Sequence, residues 1–76
     1  MTDFPAVTGL QIVKALMKAG FHKVSQVGSH VKMAHADGRI SVIPVHRAEI
    51  IGAGLFGKIL KDVKMGREEF RELLHK

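Results

Sequence analysis

The dipeptide Asp37-Gly38 sits between two runs rich in strand-forming residues, His30 to Ala36 and Arg39 to Val45, and no other stretch constrains the fold as strongly. A type I′ turn needs positive φ at both central residues, a need that Asp-Gly meets, so the two runs are predicted to pair as a β-hairpin. Pro44 has no amide hydrogen to give to a ladder, so the second strand lies at a sheet edge or ends there. Ahead of the hairpin, Thr8 and Gln11 have the spacing of a capping box. Leu10, Val13, Leu16 and Met17 then recur at helical spacing, predicting a helix from about Gly9 to Ala19. Gly20 suits the left-handed conformation just past a helix end. Phe21 to Val27 alternates weakly and reads as a further strand, followed by turn residues. Beyond Arg47 to Ala53, the residues Leu55, Phe56, Ile59, Leu60 and Val63 return to helical spacing. After Met65-Gly66, the residues Phe70, Leu73 and Leu74 mark a short last helix over Arg67 to His75.

This order predicts an α+β fold of the α-β-β-β-α type. A three-stranded antiparallel sheet carries both main helices on one face, leaves the other open, and gains a short extra C-terminal helix. The same order belongs to the double-stranded-RNA-binding architecture. The 76 residues allow one domain, 1–76, and a chain this short buries only about 60% of its unfolded surface. There is no cysteine, so the fold has no disulfide or thiolate metal site, and a cytoplasmic location is expected. Met1-Thr2-Asp3-Phe4-Pro5 has neither the basic nor the apolar region of a signal peptide, and no stretch approaches the roughly 20 apolar residues of a membrane span.

Twelve Lys and Arg oppose seven Asp and Glu, a formal charge of +5, with a sequence pI near 10.0. The acids gather late, at Glu68, Glu69 and Glu72, so the basic surface belongs to the earlier part of the chain. Polyanions are the natural partners, though an acidic protein would meet the same surface. An open basic sheet face suits RNA, but the chain has no Tyr or Trp to build a base-stacking platform.

His30, directly after Gly28-Ser29, is the leading catalytic candidate, because an imidazole of ordinary pKa about 6.5 can take or give a proton near neutral pH. Metal-free RNA cleavage needs a base for the 2′-hydroxyl, donors for the phosphorane and an acid for the departing 5′-oxygen, and His30 suits either proton role. RNA contacts are expected from Ser29, Lys32, Arg39, His46 and Arg47. Ser29 and the amides around Gly28 could hold a phosphate oxygen, and Lys32 shares the parity, and so the face, of His30. His46 lies at the end of the adjacent strand, and an RNA contact or support of the fold suits it better than direct catalysis. His35 falls on the opposite parity and reads as structural or exposed. The histidines have no clustered carboxylates to complete a metal site, so neither metal nor cofactor is expected. A non-catalytic RNA-binding module and a docking protein for an acidic partner remain alternatives.

Taken together, several segments resemble the HicA (YcfA-like) family of bacterial toxin-antitoxin systems, collinearly from Gly9 to Leu74. They are Ala19-Gly20-Phe21, Gln26-Val27-Gly28-Ser29-His30, the Asp37-Gly38-Arg39 turn, Pro44-Val45-His46, and Gly54-Leu55 leading into Ile59-Leu60-Lys61. The chain departs from the family at Val31, where many members carry a second histidine, and at Gly57, where a basic residue is common. The resemblance implies a fold similar to the double-stranded-RNA-binding domain and a type II toxin that acts as a ribonuclease on mRNA. It further implies neutralisation by a HicB-type antitoxin and a catalytic role for His30.

Overall fold

Helix α1 (Gly9–Lys18) starts at the predicted capping box. The Gln11 amide donates to the Thr8 hydroxyl at 3.2 Å, and the Thr8 amide donates to the Gln11 side-chain oxygen at 2.8 Å, so two orphan donors of the first turn are satisfied. The computed structural model describes residues 6–47 and 49–76. Met1 to Pro5, where no signal peptide was expected, and Ala48 lie outside the described residues. After α1 come the strands β1 (His22–Val27), β2 (His30–Ala34) and β3 (Ile40–Pro44), then the helices α2 (Ala53–Asp62) and α3 (Arg67–Leu74). This is the predicted α-β-β-β-α order with its extra C-terminal helix.

The buried stripe of α1 differs from the expected one. Gly9, Ile12, Val13, Ala15 and Leu16 face the core, while Leu10 and Met17 are 51% and 55% exposed. The cause is Gly9, which lies so close to the end of β3 that a Cβ there would overlap the Pro44 carbonyl oxygen. That contact turns the glycine inward and its neighbour Leu10, about 100° further round the helix, outward. Gly20 adopts the positive φ expected past the helix end, at 100°.

The strands form one sheet in the order β1-β2-β3, antiparallel throughout, so β3 is the edge strand that Pro44 requires. The β2–β3 hairpin is present but its turn is not type I′. Only Gly38 has positive φ, at 101°, and Asp37 does not. The Gly38 amide donates to the His35 carbonyl and the His35 amide donates to the Arg39 carbonyl, each at 2.9 Å. The loop is therefore Ala36-Asp37-Gly38, a three-residue turn in which glycine takes the one left-handed position. Arg39 fastens it. Its Nε donates to both Asp37 carboxylate oxygens at 3.1 and 2.9 Å, another guanidinium nitrogen reaches the Val63 carbonyl at 2.6 Å, and the group lies 4.9 Å from the Phe21 ring centre. These bonds, the side-chain one foremost, hold the Asp37 carboxyl below its ordinary value of 3.8.

One sheet face packs on the helices. Ile12, Leu16, Met33, Ile43, Phe56, Ile59, Val63 and Phe70 are the largest fully buried side chains, and the Phe56 and Phe70 rings meet edge to face at 5.1 Å. Ser41, buried on the core face of β3, donates to the Asp62 carboxylate at 3.0 Å, so it is not left unsatisfied. Lys18 donates to the Leu73 and Lys76 carbonyls at 3.1 and 2.9 Å, joining α1 to the C-terminal end of α3. Cover stops short of β1, which is exposed along its whole length and bulges at Val24, where the register slips between Lys23 and Ser25. Among the described residues, no helix is long and apolar enough to cross a membrane.

Gly9→Ala gains at most about 1 kcal/mol of helix propensity, whereas overpacking against backbone costs about 1–3 kcal/mol, so a lower urea midpoint is expected. In an NMR titration Asp37 will protonate below its ordinary value, and Arg39→Gln will raise that pKa. Because the folded pKa is depressed, the stability it contributes is present at neutral pH and is lost as pH falls through the folded value. Arg39→Gln will lack that part of the acid loss.

Candidate active site

Val27 pairs with His30, so β1 and β2 are joined by Gly28-Ser29 alone. Gly28 has φ of 58° and Ser29 does not share the positive sign, the pattern of a two-residue hairpin with glycine at its first central position. This tight turn makes His30 the first residue of β2. Val31 and Met33 are buried while His30 and Lys32 are exposed, so the histidine and the lysine share the open face, as their parity requires. Across from them on that face stand Val27 and Ser25 of β1 and Pro44 and Val42 of β3. Val27, 78% exposed beside His30, is an apolar residue on this surface.

His30 pairs with Pro44. The ladder bond falls on the next pair, where the Val45 amide donates to the Ser29 carbonyl at 2.6 Å. In such a ladder the intervening pair makes no bonds to its partner, so the missing amide of Pro44 belongs to the open edge and nothing is lost. Paired residues share a face, and one step beyond Val45 the chain returns to the face of His30 with His46. Their rings lie 6.4 Å apart, edge to face. The Ser29 hydroxyl is 3.0 Å from His46 Nε2, so Ser29 holds the segment by backbone and side chain together. Arg47 follows at φ 41°, a left-handed position uncommon outside glycine, and the Glu49 amide donates to the His46 carbonyl at 2.8 Å. The chain thus turns sharply once His46 is placed.

Of the expected site residues, Ser29, His30 and His46 converge, with Lys32 two positions along the same face and Arg47 immediately after His46. Arg39 does not join them, since it stands at the opposite end of the hairpin and its guanidinium is engaged by Asp37, Val63 and Phe21. His35 is structural, half-buried with its ring 5.0 Å from Phe21 and its Nδ1 accepting from the Asp37 amide at 3.1 Å. Beside His46 opens a cleft of about 300 Å³ lined by Pro44, Glu49, Ile50, Ile51, Gly52 and Leu55. Sequence reasoning missed this cleft, because Glu49 to Gly52 carries no periodic signal and Leu55, expected on the apolar stripe of α2 with Phe56, Ile59 and Leu60, is instead exposed at the stripe's margin. The pairing of Ser29 with His46 was missed as well, since it needs the hairpin register.

Two imidazoles and an ammonium group on one open face, with a hydroxyl bonded to one of the rings, form a set able to move protons at an anionic centre. No curated protein matches the chain. The family described as the HicA toxin of bacterial toxin-antitoxin matches residues 9–65, which include the Gly28-Ser29 turn, both histidines, the hairpin and all of α2. With three-quarters of its length inside that match and the open-faced sheet in place, the chain belongs to the HicA toxin family and is the toxin of a toxin-antitoxin system.

Proposed function

We propose that this toxin is an endoribonuclease that cleaves mRNA without a metal ion and so blocks translation in the cytoplasm. The supporting observation is the exposed His30 on the open sheet face, 6.4 Å from the ring of His46, with Lys32 beside it. His30 removes the proton of a ribose 2′-hydroxyl, the resulting oxygen attacks the adjacent phosphorus, and the bond from phosphorus to the 5′-oxygen breaks. The products are a 2′,3′-cyclic phosphate and a 5′-hydroxyl. Lys32 offers an ammonium group to the phosphate, a charge-assisted contact stronger than a neutral hydrogen bond.

The proposed antidote is an acidic HicB-type antitoxin that covers the open face around His30. A net charge of +5 on the toxin speeds capture of a negative partner. An RNA substrate and an acidic protein then compete for one basic surface, which is how binding silences the enzyme.

Cleavage of a mixed RNA pool in the presence of a chelator tests the reading. The wild-type protein is expected to cut and leave cyclic phosphate ends, while a folded His30→Ala variant binds RNA and turns over about 10² to 10⁴ times more slowly. Undiminished cleavage by that variant overturns the assignment of His30. Lys32→Ala is expected to weaken RNA binding and to reduce the slope of log affinity against log salt by about 0.7, the share of one neutralised phosphate on a single strand. Filter binding across a salt series reads it.

A further inference from the structure

We propose that His46 is the general acid of this cleavage and that Ser29 is the residue positioning its ring, an assignment resting on the ribonuclease reading above. A base at the 2′-hydroxyl does half of the proton work. The 5′-oxygen departs as an alkoxide of very high basicity unless a proton reaches it while its bond to phosphorus breaks. The two proton-transfer groups must lie on either side of one phosphate, each within about 2.6–3.2 Å of its own oxygen. Rings 6.4 Å apart on the same sheet face can bracket a single phosphate in this way. Among the described histidines, only His46 makes such a ring pair with His30: His35 packs on Phe21, His22 pairs with Ala34 at the far end of the sheet, and His75 caps α3.

The surroundings of the two rings divide the roles. His46 lines a cleft together with Glu49, and its Nε2 lies 3.0 Å from the Ser29 hydroxyl oxygen. His30 has instead the ammonium group of Lys32 two residues along its own strand face. A ring held through one nitrogen presents the other in a fixed direction, as delivery of a proton to one departing oxygen requires, and a cation beside the other ring draws the phosphate to it. In the imidazolium form, His46 donates Nε2–H to Ser29 Oγ and keeps Nδ1–H for the substrate. As the bond from phosphorus to oxygen breaks, that proton passes from Nδ1 to the 5′-oxygen while His30 holds the proton of the 2′-hydroxyl. One proton is taken and one is given, so the pair ends with its charges exchanged. Ser29 acts through His46: anchored by the Val45 ladder bond, its hydroxyl keeps the ring from swinging toward solvent on an otherwise exposed loop.

A substrate with a better leaving group tests the assignment. An oligoribonucleotide is mapped with wild-type protein, and the linkage it cuts is remade with sulfur in place of the 5′-oxygen, because a thiolate leaves without being protonated. His46→Ala, shown folded by circular dichroism, is expected to lose about 10²-fold or more on the all-oxygen RNA and to return to near the wild-type rate on the sulfur-bridged one. His30→Ala is expected to stay inactive on both. Ser29→Ala is expected to lose less than His46→Ala and to recover likewise on the sulfur substrate, a pattern that mere loosening of the turn cannot give. Full activity of His46→Ala on ordinary RNA, an equal loss on both substrates, or recovery in His30→Ala instead would each overturn the assignment. A wild-type protein inert in the mapping step would overturn the ribonuclease reading itself.

Discussion

Because side chains alternate faces along a strand, the pairing of His30 with Pro44 decides what stands beside the candidate catalytic histidine. That pairing is set at the far end of the hairpin, by the number of residues in the turn. With Ala36, Asp37 and Gly38 all in the loop, His35 meets Arg39 and every pair down to His30 and Pro44 follows. A two-residue turn at Asp37-Gly38 would instead pair Ala36 with Arg39 and His30 with Val45. A slip of one residue sends a side chain to the other face of the sheet, and His46 would then lie with the core. Gly38, at the one position of the loop with positive φ, therefore governs a contact formed at the other end of the strands.

The site also needs a firm floor, because its groups are exposed. Helix α1 supplies one by bringing Gly9 against the backbone of Pro44, and the extended residues before it add a second tie: the Ile51 amide donates to the Val7 carbonyl at 2.8 Å and Thr8 bridges to Ile50. The segment that carries His46 into α2 is thus held at its start by the Ser29 backbone and at its end by the chain entering α1. Rigid placement of the proton donor and acceptor is what acid-base catalysis on a solvent-facing surface requires.

Local chemistry was legible in the sequence wherever it depends on neighbours along the chain. The capping box, the glycine after α1, the two helices after residue 53, the edge placement forced by Pro44 and the shared face of His30 and Lys32 all followed from spacing alone. Features set by distant parts of the fold were not. The stripe of α1 shifted because Gly9 answers to Pro44, and the turn type shifted because Asp-Gly suits two different loops. Net charge hides a similar dependence: Arg39 and Lys18 count toward it, yet one braces the hairpin and the other closes the carbonyls of α3. A basic composition therefore overstates the charge offered to a polyanion, and the cations facing outward near His30 are fewer than the sum implies.

The family match stops at residue 65, short of the Leu74 to which the resemblance was expected to reach, but the physical unit does not. Phe70 is wholly buried with its ring against Phe56 on the inner side of α2, and Leu73 closes the same core beside α1. The last helix thus closes the core against α1, with Lys18 as its latch. Shared ancestry and mechanical completeness draw different borders on this chain, and the second runs on into α3.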